Sequence, residues 1–214
     1  MHQIKVQNLI QVISSEIPDI EIDFYLEVNE KYLEGKGEQM LGGIFDSLEG
    51  TGRPPHLHSL KFDFKVNRFL FLYDDEIHFN RYRIKTFKTD LYEVFSFQWL
   101  EAYKRLCRTY EKDCLKAGLQ ERIWNGPPIA SKVFGKSEEF GDLSGNGSSG
   151  WKLNAYNDAQ YDLLTRLHGY KMIRIPQYET LMIGGGLKKI DELLRNPKEE
   201  HQKGIINWIN RKMA

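Results

Sequence analysis

The chain has 214 residues, enough for one domain with an elaborated insertion and a substantial buried core. Its 30 basic residues balance 30 acidic ones, which excludes a global basic field drawing it to nucleic acid, so any such contact has to use a local patch. No apolar run approaches the ~18 residues of a membrane span, and the opening MHQIKVQNLIQVISSEIPDI lacks a signal-peptide layout, so the expected location is the cytoplasm.

Residues 3–14, with Ile4, Val6, Leu9, Ile10 and Ile13, predict an amphipathic helix that stops before Pro18. IEIDFYLEV, residues 20–28, alternates Ile20, Ile22 and Phe24 with acids at the period of a half-buried strand. A helix is predicted from about Gly37 to Leu48, on the stripe Met40, Leu41, Ile44, Phe45 and Leu48. Glu38 falls on the same side at the helix start. An inward carboxylate there needs a cation, a metal or the helix dipole, and the alternative is a side chain bent out to solvent.

GTGRPPHLHS, residues 50–59, is a turn-rich connection. LKFDFKV and RFLFLYD then read as strands joined at Asn67 and Arg68, an antiparallel hairpin. Leu70, Leu72 and Asp74 share one face, Glu76 and His78 continue it if the chain stays extended, and Asp63 projects beside Asp74.

From His78 a helix of about fifteen residues is predicted, with Phe79, Ile84, Phe87 and Leu91 on one side and Arg81, Lys85 and Lys88 stacked on the other. The basic stripe is either a phosphate clamp or a solvated face. Residues 97–117 predict a longer helix stopping at Gly118. Cys107 and Cys114 lie in it about 10 Å apart, too far for a disulfide, and read as reduced core residues.

Residues 124–150 turn rich in Pro, Gly, Ser and Asn, a connection that is either mobile or functional. Lys152 follows it and either reaches a phosphate or leads the next helix in water. NDAQYDLLTRLHGYKMIRIP reads as helix, Gly169 cap and a strand added to the existing sheet, which makes the chain α/β. The tail predicts two short helices broken at Pro197.

The acids of the central stretch suit phosphodiester hydrolysis, which needs a hydroxide near neutral pH and a cation to offset charge on the phosphoryl oxygens. Magnesium takes oxygen ligands and keeps several waters, so two or three converging carboxylates suffice. Asp63 and Asp74 are the candidates, with Glu38 or Glu76 as a third, and His78 is placed to act as general acid or base or to donate to a phosphate oxygen. A competing possibility is zinc on His56 and His58 with His78 and Asp63.

A helix with Glu38, a strand with Asp63, a strand ending in Asp74 and then His78, and the later YKMIRIP strand together resemble the PD-(D/E)XK nuclease superfamily, in the branch related to very-short-patch-repair endonucleases. Aligned on the histidine, YDDEIH places Leu72, Asp74, Asp75 and His78 against that branch's "E-x-D-G-x-x-H". Asp158 and Asp162 with HGYKMIRIP resemble its closing segment, although Asp162 stands where that segment has arginine. No lysine follows Asp74 at the D/E-x-K spacing, where Glu76 stands instead.

The resemblance implies a restriction-endonuclease-like αβββαβ core with a mixed central sheet, spanning about 36–92 and 152–176, with a helical insertion over 97–150 in one nuclease-like domain. It implies a metal-dependent DNA endonuclease using Mg²⁺ or Mn²⁺, with Glu38, Asp63 and Asp74 as metal ligands. Asp63, Asp74, Glu76 and His78 would be catalytic, and Arg81, Lys85, Lys88 and Lys152 would contact DNA. The alternative is a non-catalytic protein on the same core that binds nucleic acid, a protein partner or a second copy of itself.

Overall fold

The computed structural model describes residues 2–117 and 121–214, so the predicted stop at Gly118 lies outside the described residues. In chain order the elements are α1 (His2–Ile13), β1 (Ile20–Glu27), α2 (Lys36–Ser47), β2 (Ser59–Val66), β3 (Phe69–Asp74), α3 (Arg81–Thr86) and α4 (Asp90–Val94). There follow α5 (Leu100–Ala117), α6 (Glu121–Asn125), α7 (Pro128–Phe134), α8 (Ser149–Leu167), β4 (Lys171–Pro176), β5 (Thr180–Ile183), β6 (Gly186–Lys189), α9 (Ile190–Arg195) and α10 (Glu199–Met213). Short 3-10 turns occupy Glu30–Tyr32 and Glu76–His78.

The class is α/β, on a mixed four-stranded sheet of order β1-β2-β3-β4. β2 and β3 pair antiparallel, with Phe64 opposite Phe71 and Val66 opposite Phe69. Asn67, at φ 52°, takes the left-handed conformation that their two-residue link requires. β3 and β4 run parallel, with Leu72 beside Arg174 and Asp74 beside Pro176. The helix ahead of the first strand is α1. The Glu38 helix, expected to lead the core, instead falls between β1 and β2.

The chain divides into two compact units, one formed by residues up to Leu26, Leu60–Asp75 and Gly169 onward, the other by Glu27–Ser59 and Glu76–His168. In the first, one face of the sheet carries Phe64, Phe71, Tyr73, Ile173 and Ile175 into a core with Leu9 and Ile13 of α1, Leu193 and Leu194 of α9, and Ile205 and Ile209 of α10. The Phe64 and Phe71 rings stack at 4.3 Å between centroids, as their opposed register positions allow. Strand alternation turns Leu70, Leu72, Asp74 and Arg174 to the opposite face.

The tail carries the two helices expected on either side of Pro197, α9 and α10, with a hairpin ahead of them. β5 and β6 form a hairpin turned by Gly184 and Gly185, both at positive φ, and α10 runs for 15 residues.

A polar network ties α9 to this core. Asp191 receives the Lys5 ammonium, the Tyr73 hydroxyl at 3.1 Å and Arg195 at 2.9 Å. Burial alone would raise the Asp191 pKa, but the hydrogen bond from Lys5 and the charges of Lys5 and Arg195 outweigh it and hold the carboxyl below its usual range. A depressed folded pKa contributes stability that is present above the unfolded value and lost as pH falls through the folded one. Asp191→Asn is therefore expected to cost about 1.5–3 kcal/mol at neutral pH, as for a hydrogen-bonded charge. It should also flatten the decline of the urea midpoint below the usual carboxylate range; an acid limb as steep as the parent's would count against this role.

In the second unit α8 packs against α2, α3, α6 and α7. Gly150, in its first turn, has no room for a side chain because the backbone of residues 123–126 crosses it closely. The helix of about fifteen residues expected from His78 is broken into the Glu76–His78 turn, α3 and α4. Asn80 caps α3 by accepting from the N–H groups of Tyr82 and Arg83, and the Thr89 hydroxyl donates to the Thr86 carbonyl after it. Lys88 consequently sits in the turn beyond α3 rather than on its stripe.

The Gly- and Ser-rich connection is more ordered than its composition suggests. It contains α7, and Asn146 donates to the carbonyls of Phe134 and Lys136 while Trp124 donates to that of Glu138. Cys107 and Cys114 are buried free thiols, as predicted, and burial pushes the Cys114 pKa up. Among the described residues no helix is long and apolar enough to cross a membrane.

Candidate functional site

The acids predicted on the hairpin lie in the first unit. Asp74, the last residue of β3, is 1% exposed, and both of its oxygens accept from Nη1 of Arg174, at 2.8 and 3.0 Å. Arg174 is itself fully buried one strand away on the same sheet face. A carboxylate in that position has to be neutralised, and the parallel register of β3 and β4 brings a guanidinium to it.

Asp63 was expected to project beside Asp74. Its carboxylate instead accepts the Tyr73 N–H at 2.7 Å and meets Nε2 of His2 on α1 at 2.9 Å. The side chain thus takes over a backbone donor just past the end of the regular β2–β3 register.

In the second unit Glu38 is exposed in the first turn of α2, so the solvent-facing alternative describes it. Glu76 is half-buried in the 3-10 turn. His78 closes that turn, and its Nδ1 lies 2.9 Å from Oδ2 of Asp158 on α8, with the Asn154 amide at 3.5 Å. The His78 side chain keeps 19% exposure while Asp158 keeps 7%. Asp158 also lies 3.8 Å from Nε of Arg83 on α3.

One helical turn further, Asp162 accepts from Nη2 of Arg83 and from the Tyr92 hydroxyl at 2.6 Å, and Arg83 Nη1 donates to Tyr92 at 2.7 Å and Thr86 at 3.2 Å. The i, i+4 spacing of Asp158 and Asp162 places both acids on one side of α8, with Arg83 spanning them. The result is an imidazole fixed in orientation at Nδ1 by a carboxylate that is itself held in place. General acid-base histidines are held in this way.

Of the predicted nucleic-acid contacts, Arg81, Lys85 and Lys152 have intramolecular partners. Arg81 grips Glu111 through Nε and Nη2, which holds the Glu111 carboxyl below its usual range against the opposing effect of burial. Lys85 and Lys152 both meet Glu49, and Lys152 is 1% exposed although it was expected either in water or on a phosphate. Lys88 is exposed. Of the zinc candidates, His58 faces solvent beside Glu30 at 3.2 Å, Asp63 is engaged by His2, and His56 is half-buried.

Sequence reasoning passed over Arg174, Arg83 and Tyr92, and noted Asp158 and Asp162 without giving them a role. Signals for them exist: Arg174 is the lone cation inside the apolar run MIRIP, and Asp158 and Asp162 are acids at helical spacing among Ala155, Ala159 and Leu163. Charges so placed are buried, and buried charges need partners.

A family model described as Family of unknown function (DUF7255) matches residues 43–196. That span takes in Asp63, Asp74, His78, Arg83, Asp158, Asp162 and Arg174 and leaves out α1, β1 and Glu38. No curated protein matches the chain, and no solved structure matches it.

Proposed function

As the chain belongs to the family of unknown function DUF7255, which brings no activity with it, we propose from the chain's own residues that it is a metal-dependent hydrolase of PD-(D/E)XK type that cuts DNA phosphodiesters. The observation that carries this reading is the His78–Asp158 pair, a partly exposed imidazole held at Nδ1 by a buried carboxylate. The mixed sheet, with α1 ahead of β1, β2 and β3, α2 intervening between β1 and β2, α8 preceding β4, and Asp74 at the carboxyl end of β3, supports it as an analogy of fold.

Asp63 and Asp74 are oxygen donors of the kind Mg²⁺ or Mn²⁺ takes. Asp63 uses two hydrogen bonds of the roughly four a carboxylate can accept. When bound, the ion supplies charge neutralisation at the phosphoryl oxygens and a water of lowered pKa. In this reading His78 moves a proton at its imidazole and Asp158 keeps the ring oriented, while Asp74 and Asp63 are the residues that would hold the ion. Of the cations proposed to meet a DNA backbone, Lys88 is exposed, and Arg81, Lys85 and Lys152 would reach one on leaving their carboxylate partners.

The test is nicking of supercoiled plasmid with Mg²⁺ or Mn²⁺. The parent should nick, and His78→Gln should slow it by about 100-fold, as expected for loss of a general acid or base. Because that side chain is partly exposed, the variant should stay folded. A parent without metal-dependent nicking, or a His78→Gln that nicks at the parental rate, sinks the reading.

One observation favours a second reading, a non-catalytic nuclease-fold protein that binds nucleic acid or a protein partner: the Asp74 carboxylate is already neutralised by Arg174. Calorimetric titration with Mn²⁺ separates the two. Saturable binding lost in Asp74→Asn supports the hydrolase, and no binding by the parent supports the second reading.

A further inference from the structure

Glu49 follows the C-cap of α2 at φ 63°, in the left-handed conformation where helices ordinarily place glycine. A glutamate tolerated there draws notice to its side chain. The carboxylate splits its two oxygens between two lysines, with Oε1 3.1 Å from Nζ of Lys85 on α3 and Oε2 2.9 Å from Nζ of Lys152 on α8. The two partners differ in kind. Lys152 is 1% exposed, anchored also to the Asn146 side-chain oxygen at 2.8 Å and lying over the Tyr82 ring, whereas Glu49 is 60% exposed. The buried member is thus the cation, and the anion that covers it is free to swing into water. Hydrogen bonds from Lys152 and Lys85 hold the Glu49 carboxyl below its usual range, so it is ionised at neutral pH.

Two ammonium groups against one carboxylate leave a net positive charge at this spot. A phosphodiester resembles that carboxylate, since it carries one negative charge shared by two non-bridging oxygens. We propose that Lys85 and Lys152 form a phosphate-binding pair for a nucleic-acid strand and that Glu49 is the internal anion occupying it, displaced when a backbone phosphate enters. The inference deepens the reading of the chain as a protein acting on DNA and rests on that reading. It adds a contact that competes with substrate, so the free protein should bind DNA more weakly than its lysines alone would allow.

The experiment measures binding of a fluorescein-labelled single-stranded oligonucleotide by anisotropy, in EDTA, across a salt series. Glu49→Gly suits the left-handed backbone, and Glu49→Gln keeps the side-chain shape without the charge. Both should bind about 5- to 10-fold tighter than the parent at low salt, the scale expected for removing exposed ion pairs. The salt dependence should steepen by about one phosphate contact. Adding Lys85→Met, which alters a partly exposed side chain, should cancel the gain, and adding Lys152→Met should cancel it as well.

Parental affinity and salt slope in both Glu49 variants overturn the inference, as does a gain that survives Lys85→Met. Inorganic phosphate is titrated in parallel, and a Glu49→Gly protein that gains affinity for phosphate but none for the oligonucleotide also overturns it. Because these measurements need no cleavage, tighter binding by a protein that never nicks plasmid leaves this inference standing and removes the hydrolase. Nicking with no effect at Glu49 does the reverse.

Discussion

Arg174→Met is expected to lower the unfolding free energy by about 3–5 kcal/mol, the range for removing one partner of a buried ion pair. The parent places the guanidinium, fully buried, against both oxygens of Asp74, itself 1% exposed. Methionine fills much of the arginine's volume, so the loss comes chiefly from a carboxylate left inside without that cation. The double variant Asp74→Leu, Arg174→Met buries neither charge and should lie closer to the parent than Arg174→Met alone. Urea unfolding of the parent, Arg174→Met, Asp74→Leu and the double variant checks this. A single variant within about 1 kcal/mol of the parent, or a double variant equal to the sum of the two singles, would show that the pair is not coupled. The same cycle bears on function, because loss of nicking in an Asp74 variant means loss of chemistry only where folding is intact.

The second large effect is expected at Asp162. With Asp162→Ala the fully buried Arg83 loses a carboxylate partner and Tyr92 loses its hydrogen bond to that carboxylate, for an expected loss of about 3–5 kcal/mol. Tyr92→Phe removes hydrogen bonds to two charged groups, Asp162 and Arg83, and should cost about 1.5–3 kcal/mol, the range for a bond to a charged group. Arg83 also sits over the Phe87 ring at 4.4 Å, so Arg83→Met keeps some packing while leaving Asp162 buried, and it should resemble Asp162→Ala. Chemical denaturation ranks these variants; Tyr92→Phe more destabilised than Asp162→Ala would overturn the account. His78→Gln, one shell nearer solvent, should unfold close to the parent. That ordering separates the groups that hold α3 to α8 from the group proposed for catalysis.

Most elements could be read from period alone. The alternation of SLKFDFKV and FLFLYD and the two-residue link at Asn67 define the hairpin, and the stripe Met40, Leu41, Ile44, Phe45 defines α2. Period misleads where side chains compete with the backbone for hydrogen bonds. Asn80 and Thr89 break the helix expected after His78 by bonding to main-chain groups, and Asn146 ties down a connection whose composition leaves it either mobile or functional. The β5–β6 hairpin turns at Gly184 and Gly185, but its second strand, GLKK, carries one apolar residue and so lacks the alternation that marks a strand.

The amino-acid sequence by itself determined the α/β class, the strands and helices of the core, the reduced cysteines, and the fact that Asp63, Asp74 and His78 lie on or just beyond the central hairpin. These follow from local pattern, because the face a residue takes depends on the period of its own element. Only the tertiary structure decided the partners: Arg174 for Asp74, His2 for Asp63, Asp158 for His78, Arg83 for Asp162, and Glu49 for both Lys85 and Lys152. These pairs join residues 36 to 103 positions apart in the chain, and no periodicity spans such a distance. What selects them is the cost of leaving a charge inside without its opposite, and that cost exists only once the elements have packed.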